Sequence, residues 1–204
     1  MVPVRVFVAE DRPPPVADGA GIEVLTVAAA VLARISGTET PQGVVAVIAV
    51  PAAAIPAGGL LVAWGVSDPG NVGTLVRSAA AFGLGFVAGP GCADPWSPKV
   101  VRAGAGAHFR TAIGRISDPG ELGPRTTVAA VARGGEAPAS LRALGDAAIL
   151  VGDEAAGLPD RVVAAAGLQV TIPMPGGTES LNAAVAGSIL AYELAGGGAP
   201  AAPD

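Results

Sequence analysis

Three short segments hold residues whose types and spacing suit a polar ligand site. The first is Ser67-Asp68-Pro69-Gly70-Asn71-Val72-Gly73-Thr74-Leu75-Val76-Arg77-Ser78-Ala79. It follows an apolar strand and opens a helix. Asp-Pro-Gly-Asn is turn chemistry, and Asn71 is a candidate helix cap. Gly73 lets another backbone approach closely. Arg77 stands in the second helical turn. By itself the segment fits a plain helix cap with a surface arginine just as well. The second is Ile149-Leu150-Val151-Gly152-Asp153-Glu154-Ala155-Ala156-Gly157-Leu158-Pro159. Here a buried strand runs into a glycine-bounded loop with two carboxylates. In parallel α/β sheets, ligands bind beyond the C-terminal strand ends. Two acids there could hold a cationic group or ribose hydroxyls, although an ordinary loop with solvated acids is the simpler reading of this segment alone. The third is Val170-Thr171-Ile172-Pro173-Met174-Pro175-Gly176-Gly177-Thr178-Glu179-Ser180-Leu181-Asn182-Ala183-Ala184. A strand stops at Pro173, and a helix opens at Ser180. Loop amides and the helix start make a polar pocket, with Met174 as an apolar wall.

Other chemistries find little support. There is no G-x-x-x-x-G-K-[ST] phosphate loop and no G-x-S-x-G elbow. The glycine cluster Gly83–Gly89 follows a helix instead of opening one, the wrong context for a dinucleotide. His108 is the single histidine. It has no Cys or His at ligand spacing, so no metal is expected. Nothing sets it beside an activated serine, and a structural or RNA-facing role is the better reading.

Alternating strands and helices must position these segments. Strands are expected at Arg5–Ala9, Ile22–Thr26, Val44–Val50, Leu60–Val66, Gly85–Ala88, Thr127–Ala132, Ala147–Val151 and Gln169–Ile172. Helices are expected at Val27–Ile35, Asn71–Phe82, Ser97–Gly104, Ser140–Leu144, Asp160–Ala166 and Ser180–Leu194. The fold class is α/β, a mainly parallel sheet with helices on both faces. The last helix is almost uncharged and should be buried. Its small residues imply close helix packing, in the core or between subunits. The organisation expected is a partial N-terminal domain over 1–50, a linker over 51–58, a main domain over 59–195 and a disordered tail over 196–204.

Composition narrows the partners. Half the chain is apolar (51%) and 14% is charged, enough to bury a core. The net charge of −5 argues against a general nucleic-acid coat. A local patch remains open, because residues 95–116 carry Lys99, Arg102, Arg110 and Arg115 and no acid. Cys92 is alone, so no internal disulfide is available. With no secretory signal in view, the cytoplasm is the expected compartment. Residues 41–67 carry no charge, but Pro51, Pro56, Gly58 and Gly59 break the stretch. Two buried strands around a linker fit it better than a membrane helix.

Together the three segments resemble the motifs of the SpoU (TrmH-type) branch of the SPOUT RNA methyltransferases. Asn71, Gly73, Arg77 and Ala79 match the first motif. Gly152, Glu154, Gly157 and Leu158 match the second. Ile172, Pro173, Met174, Gly176, Ser180, Leu181 and Asn182 match the third. The segment Ser97–Phe109 looks like the family's intermotif helix. Residues 1–50 look like part of the small α/β RNA-binding domain found upstream in many members.

The resemblance implies a C-terminal deep trefoil knot, a homodimer with its sites near the interface, and S-adenosyl-L-methionine as cofactor. It implies transfer of a methyl group to a ribose 2′-hydroxyl. Ribosomal RNA is the first expectation for substrate and transfer RNA the second. The implied catalytic group is Arg77, Glu154, Ser180, Asn182 and Asn71, with Glu154 pairing with Arg77 or positioning it, and Ser180 and Asn182 bonding Arg77, the cofactor or the RNA. The implied cofactor contacts are Gly152, Glu154, Ile172, Met174, Ser180 and Leu181. Lys99, Arg102 and Arg110 would meet RNA phosphate. A guanidinium loses its proton only above about pH 12, so Arg77 suits orienting the 2′-hydroxyl and adjacent phosphate better than acting as base. Asp153 departs from the family pattern, as an extra acid that would repel phosphate. The competing readings are a non-catalytic RNA-binding member of the same fold and a small-molecule α/β enzyme using the Glu154 loop.

Overall fold

The computed structural model describes residues 3–13, 15, 21–38 and 40–196. Contacts divide the chain into two units, Met1–Ala52 and Ala53–Asp204. In the first unit β1 (Pro3–Ala9) is the central strand. It pairs in parallel with β2 (Glu23–Val27) and antiparallel with β3 (Val44–Ile48). α1 (Ala29–Ser36) ends at Gly37, whose φ of 59° is the left-handed cap that stops a helix. Val6, Val8 and Ala9 of β1 and Leu32 of α1 are its buried apolar residues. Leu25, Val44 and Val47 of the outer strands stay exposed.

The second unit holds one parallel sheet. Its strands are β4 (Leu60–Ala63), β5 (Gly85–Ala88), β6 (Ile113–Arg115), β7 (Thr126–Ala130), β8 (Ala147–Val151) and β9 (Leu168–Val170), in the order β6-β5-β4-β8-β7-β9. The helices are α2 (Pro69–Ala81), α3 (Pro98–Ala103), α4 (Asp160–Ala165) and α5 (Ala183–Leu194). The central strands are apolar throughout because both faces are covered. Alternate residues serve opposite faces. Leu61, Phe86 and Ile149 pack with Leu75 of α2 and Leu190 of α5. Leu60, Val62 and Leu150 pack with Leu158 and with Val162 of α4. Each such side chain contributes about 1.5–3 kcal/mol on burial, which makes the sheet a rigid base for the loops above it.

Strand order then fixes where a site can form. The chain runs from β4 outward through β5 to β6, then crosses back to β7 on the far side of β4. β8 fills the gap between β4 and β7. The sheet therefore changes winding direction between β4 and β8, which are paired through Ala63 and Val151. A crevice opens at the C-terminal ends of strands flanking such a point. α2 starts just past β4, and the Glu154 loop starts just past β8.

Several local expectations differ from the structure. β6 was not foreseen, being three residues long with Gly114 at its centre. A side chain there would meet Ala54 O at 2.7 Å. The segment expected as a linker is fastened to the sheet unit, since Arg125 donates to Pro56 O (2.7 Å) and Gly58 O (2.9 Å). Pro138–Ala143 is a 3-10 turn and not an α-helix. The final helix opens at Ala183, later than Ser180, because the Asn182 side chain accepts from Ala184 N and Val185 N. That leaves Ser180 and Leu181 in the preceding loop. α5 is also less buried than its apolar sequence implied, with Val185 and Tyr192 exposed. Among the described residues no helix is long and apolar enough to cross a membrane. Of the expected tail, residues 197–204 lie outside the described residues.

Candidate functional site

Asp68, not Asn71, caps α2: its Oδ1 accepts from Asn71 N at 2.8 Å. This frees the Asn71 side chain, which lies one residue pair inside the helix and points across the crevice. Asn71 Nδ2 donates to Glu154 Oε1 at 2.5 Å. Asn182 Nδ2 donates to the same oxygen at 3.2 Å and to Asn71 Oδ1 at 2.9 Å. Ala183 N adds a third bond to Glu154 Oε1 at 3.1 Å. One carboxylate oxygen thus ties the start of α2, the loop after β8 and the start of α5. Bonds to an ionised acceptor are about twice as strong as neutral ones. Residues 71, 154 and 182, far apart in sequence, are brought together.

The loop that presents Glu154 is shaped by its own backbone. A side chain at Gly152 would overlap the backbone of Gly157 and Leu158, so only glycine lets the loop close this tightly. Asp153 Oδ1 accepts from Ala155 N (2.9 Å) and Ala156 N (3.0 Å). The Ala156 amide, then that of Ala155, hold its carboxyl below the usual carboxylate range. Expected as an extra acid that would repel phosphate, Asp153 lines the cleft with one carboxylate oxygen bonded into its own turn.

Behind the network lies an open, mostly apolar cleft at the ends of β7, β8 and β9. Gly152, Glu154, Ile172, Met174, Ser180 and Leu181 all line it. Val131 and Ala186 extend its apolar wall. Pro173 and Pro175 have no N–H to spend on internal bonds. The N–H groups of Ile172, Met174 and Leu181 make no hydrogen bond within the described residues. Free main-chain donors over an apolar wall fit a purine and ribose. Three carboxylates at the wall, Asp153, Glu154 and Glu179, fit a cationic group. The residues present therefore suit S-adenosylmethionine. Ser180 lines the cavity exposed to solvent, and its hydroxyl bonds no other described residue.

Arg77 is not at this cavity. It lies two turns along α2 from Asn71, about 9 Å down the axis, and is exposed. The expected contact with Glu154 is replaced by the two asparagines, and neither Ser180 nor Asn182 bonds Arg77. The reason is helical phase. Gly73 faces α3, where a side chain would press on Ala103 and meet Val100 O at 2.8 Å. Arg77, one turn further on the same face, sits over the end of α3. It lines a separate depression with Gly106, Phe109 and Arg110.

Lys99, Arg102 and Arg110 are all exposed, and none forms an ion pair among the described residues. Arg115, counted in the same basic stretch, is paired with Asp94. His108 is buried and faces neither solvent nor the cavity. Its Nε2 is 2.7 Å from Pro95 O, and its ring meets Trp96 edge-on at 5.3 Å. Its role is structural. Among the described residues no three His, Cys, Asp or Glu side chains gather as a metal ion requires. Sequence reading missed Asp68 as the cap and the Ala183 amide as a Glu154 partner. Asp68 was discoverable from its place three residues before Asn71; the amide left no pattern.

Comparison with known proteins agrees with this geometry. The profile of the SpoU rRNA methylase family matches residues 59–192. The profile of the RNA 2′-O ribose methyltransferase substrate-binding domain matches residues 6–52. The chain is 34% identical over 187 residues to the 23S rRNA (guanosine(2553)-2′-O)-methyltransferase RlmP of Bacillus subtilis, covering 86% of this chain and 74% of that protein. Its fold is similar to the SpoU methyltransferase AviRb of Streptomyces viridochromogenes in complex with AdoMet, with a TM-score of 0.80 and 26% identity over 95% of this chain and 82% of that one. It is also similar to an AdoMet-bound rRNA methyltransferase from Sinorhizobium meliloti, with a TM-score of 0.77 and 29% identity over 93% and 78%. The chain belongs to the SpoU rRNA methylase family.

Proposed function

We propose that this chain transfers a methyl group from S-adenosylmethionine to a ribose 2′-hydroxyl of ribosomal RNA. The observation that carries the reading is the Asn71–Glu154–Asn182 network closing a cavity lined by the second and third motifs. The named activity of relatives such as RlmP supports the substrate class. The reading brings with it the deep trefoil knot of the fold and a cytoplasmic setting.

When bound, S-adenosylmethionine supplies a sulfonium methyl open to in-line attack by an oxygen nucleophile. The chain's own task is alignment and charge. Main-chain groups at Gly152, Ile172, Met174 and Leu181 hold the adenine and ribose. Glu154 would supply a carboxylate at the wall for the cationic cofactor, while its bonded oxygen keeps the three motif loops in register. Ser180, with its hydroxyl free, bonds the cofactor or the incoming ribose. Arg77 orients the 2′-hydroxyl and its neighbouring phosphate through its planar fork of N–H donors. Lys99, Arg102 and Arg110 neutralise phosphates further along the strand.

Arg77 lies away from its own cavity, which favours a homodimer in which one copy's Arg77 serves the other's cavity. The exposed Val185 and Tyr192 on α5 offer apolar surface for such pairing. The test is methyl transfer from labelled S-adenosylmethionine to ribosomal RNA isolated from cells lacking the gene, followed by mapping of the modified position. Label at a ribose 2′-oxygen is the expected result. Label on a base, or on no RNA, would overturn the reading.

A further inference from the structure

The depression beside Arg77 has a composition the proposed reaction does not explain. It is open to solvent, and its lining includes Arg77, Arg110, Phe109 and the turn Ala105–Ala107, with no acid. Phe109 is 57% exposed, the most open large apolar side chain of the second unit's described residues. An isolated exposed Phe needs no explanation. One that shares a depression with two guanidiniums, neither ion-paired among the described residues, does.

The backbone shows how it is held. Ala105 (φ 47°) and Gly106 (φ 83°) are consecutive left-handed residues, and Ala105 is the one such non-glycine among the described residues. They reverse the chain between α3 and the 3-10 turn Ala107–Phe109. That turn is anchored on its inner side by His108, fixed by Pro95 O and Trp96. Beyond it, Thr111 Oγ1 donates to Leu84 O at 2.6 Å. With His108 turned in and Thr111 pinned, Phe109 and Arg110 are forced outward. A conformation that L residues adopt reluctantly is retained here to present an aromatic face.

We infer that this depression is a nucleotide subsite: the base of one unpaired RNA nucleotide stacks on Phe109, and its phosphate lies between Arg77 and Arg110. The inference rests on the proposed RNA methyl transfer and deepens it, because it states that the substrate must offer a nucleotide free of its helix. Bases are read on aromatic side chains only when splayed out of a duplex. Two cations and one aromatic ring in a single depression suit the phosphate–base alternation of a single strand.

The experiment measures binding of a short single-stranded RNA oligonucleotide, and of the same sequence closed in a duplex, to wild type, Phe109→Ala and Phe109→Trp at fixed salt. Phe109→Ala should weaken single-strand binding about tenfold or more and leave duplex binding unchanged. Phe109→Trp should restore it. With RNA substrate, Phe109→Ala should raise KM with kcat little altered, while S-adenosylmethionine affinity and oligomeric state stay at wild-type values. Equal losses for single strand and duplex would overturn the inference, as would unchanged binding. So would a change of oligomeric state, which would make Phe109 a contact with a second copy. The two proposals fail separately. A wild type that methylates RNA while Phe109→Ala binds normally sinks only the subsite. A wild type that methylates no RNA sinks the activity, whatever the binding data show.

Discussion

The cavity behind Glu154 and the surface around Arg77 are built from adjoining stretches of chain, yet they treat polar groups in opposite ways. At the cavity, one oxygen of Glu154 accepts three donors, and Asp153 is bonded into its own loop. At the surface, Arg77, Lys99, Arg102 and Arg110 are exposed without an ion-pair partner among the described residues. Committed groups fix a shape before a ligand arrives, which suits a small molecule held in one pose. Uncommitted cations gain their partners only on binding, which suits a polyanion. The acidic chain as a whole would resist RNA, so its exposed cations have to be left free for phosphate.

This contrast can be broken at either side. The largest effect is expected for Arg77→Ala. Methyl transfer should fall by on the order of 10²–10³-fold or more, while S-adenosylmethionine affinity by calorimetry stays within about tenfold. Wild-type turnover would remove Arg77 from the reaction. Glu154→Ala should do the converse, since it strips three donors of their shared acceptor. The group is exposed, so the loss is discounted for solvent. Cofactor affinity should still fall on the order of tenfold, and thermal unfolding should come a few degrees earlier, while RNA binding holds. Neutralising Lys99 and Arg102 together with Gln should leave cofactor binding alone. It should flatten the salt dependence of RNA binding, with the log–log slope falling by roughly 1 to 2. An unchanged slope would take the patch out of the interface. The smallest effect belongs to Asp153. Its carboxyl is held below the usual range, so its support of the loop is present above about pH 4 and lost as pH falls further. Cofactor binding measured across pH should show a weakening below about pH 4 that Asp153→Asn lacks, with little difference between the two at neutral pH.

Residue types made most of the sheet unit legible. Leu60–Ala63, Gly85–Ala88 and Ala147–Val151 are short apolar runs with turn residues at their ends, and they became central strands. Gly73 was readable as a close-approach position because no other residue leaves room for α3. Strand order was hidden, since parallel pairing depends on contacts far apart in sequence. The meeting of Asn71 with Glu154 depends on that order; family resemblance placed both in one site but paired Glu154 with Arg77 instead. Helix starts were misjudged where two candidate caps stood close together. Asp68 displaced Asn71 at α2, and Asn182 displaced Ser180 at α5. Both errors had a functional consequence: a side chain spent on capping in the expectation is free to act in the structure, or the reverse. Phe109 was invisible because one aromatic residue has no period. Its exposure follows from the turn at Ala105 and Gly106, which only coordinates reveal.

The most direct test of this account is subunit complementation. Within one chain the cavity and Arg77 do not meet; in the proposed homodimer a complete site draws the cavity from one copy and the arginine from the other. Arg77→Ala and Glu154→Ala, each folded, are co-refolded and assayed for methyl transfer to ribosomal RNA at limiting S-adenosylmethionine, where the weakened cofactor affinity of Glu154→Ala also lowers its turnover. The account predicts that the mixture regains activity neither variant has by itself, because mixed dimers contain one site with both residues intact. A mixture as inactive as its parents, with mixed dimers demonstrably present, would contradict it.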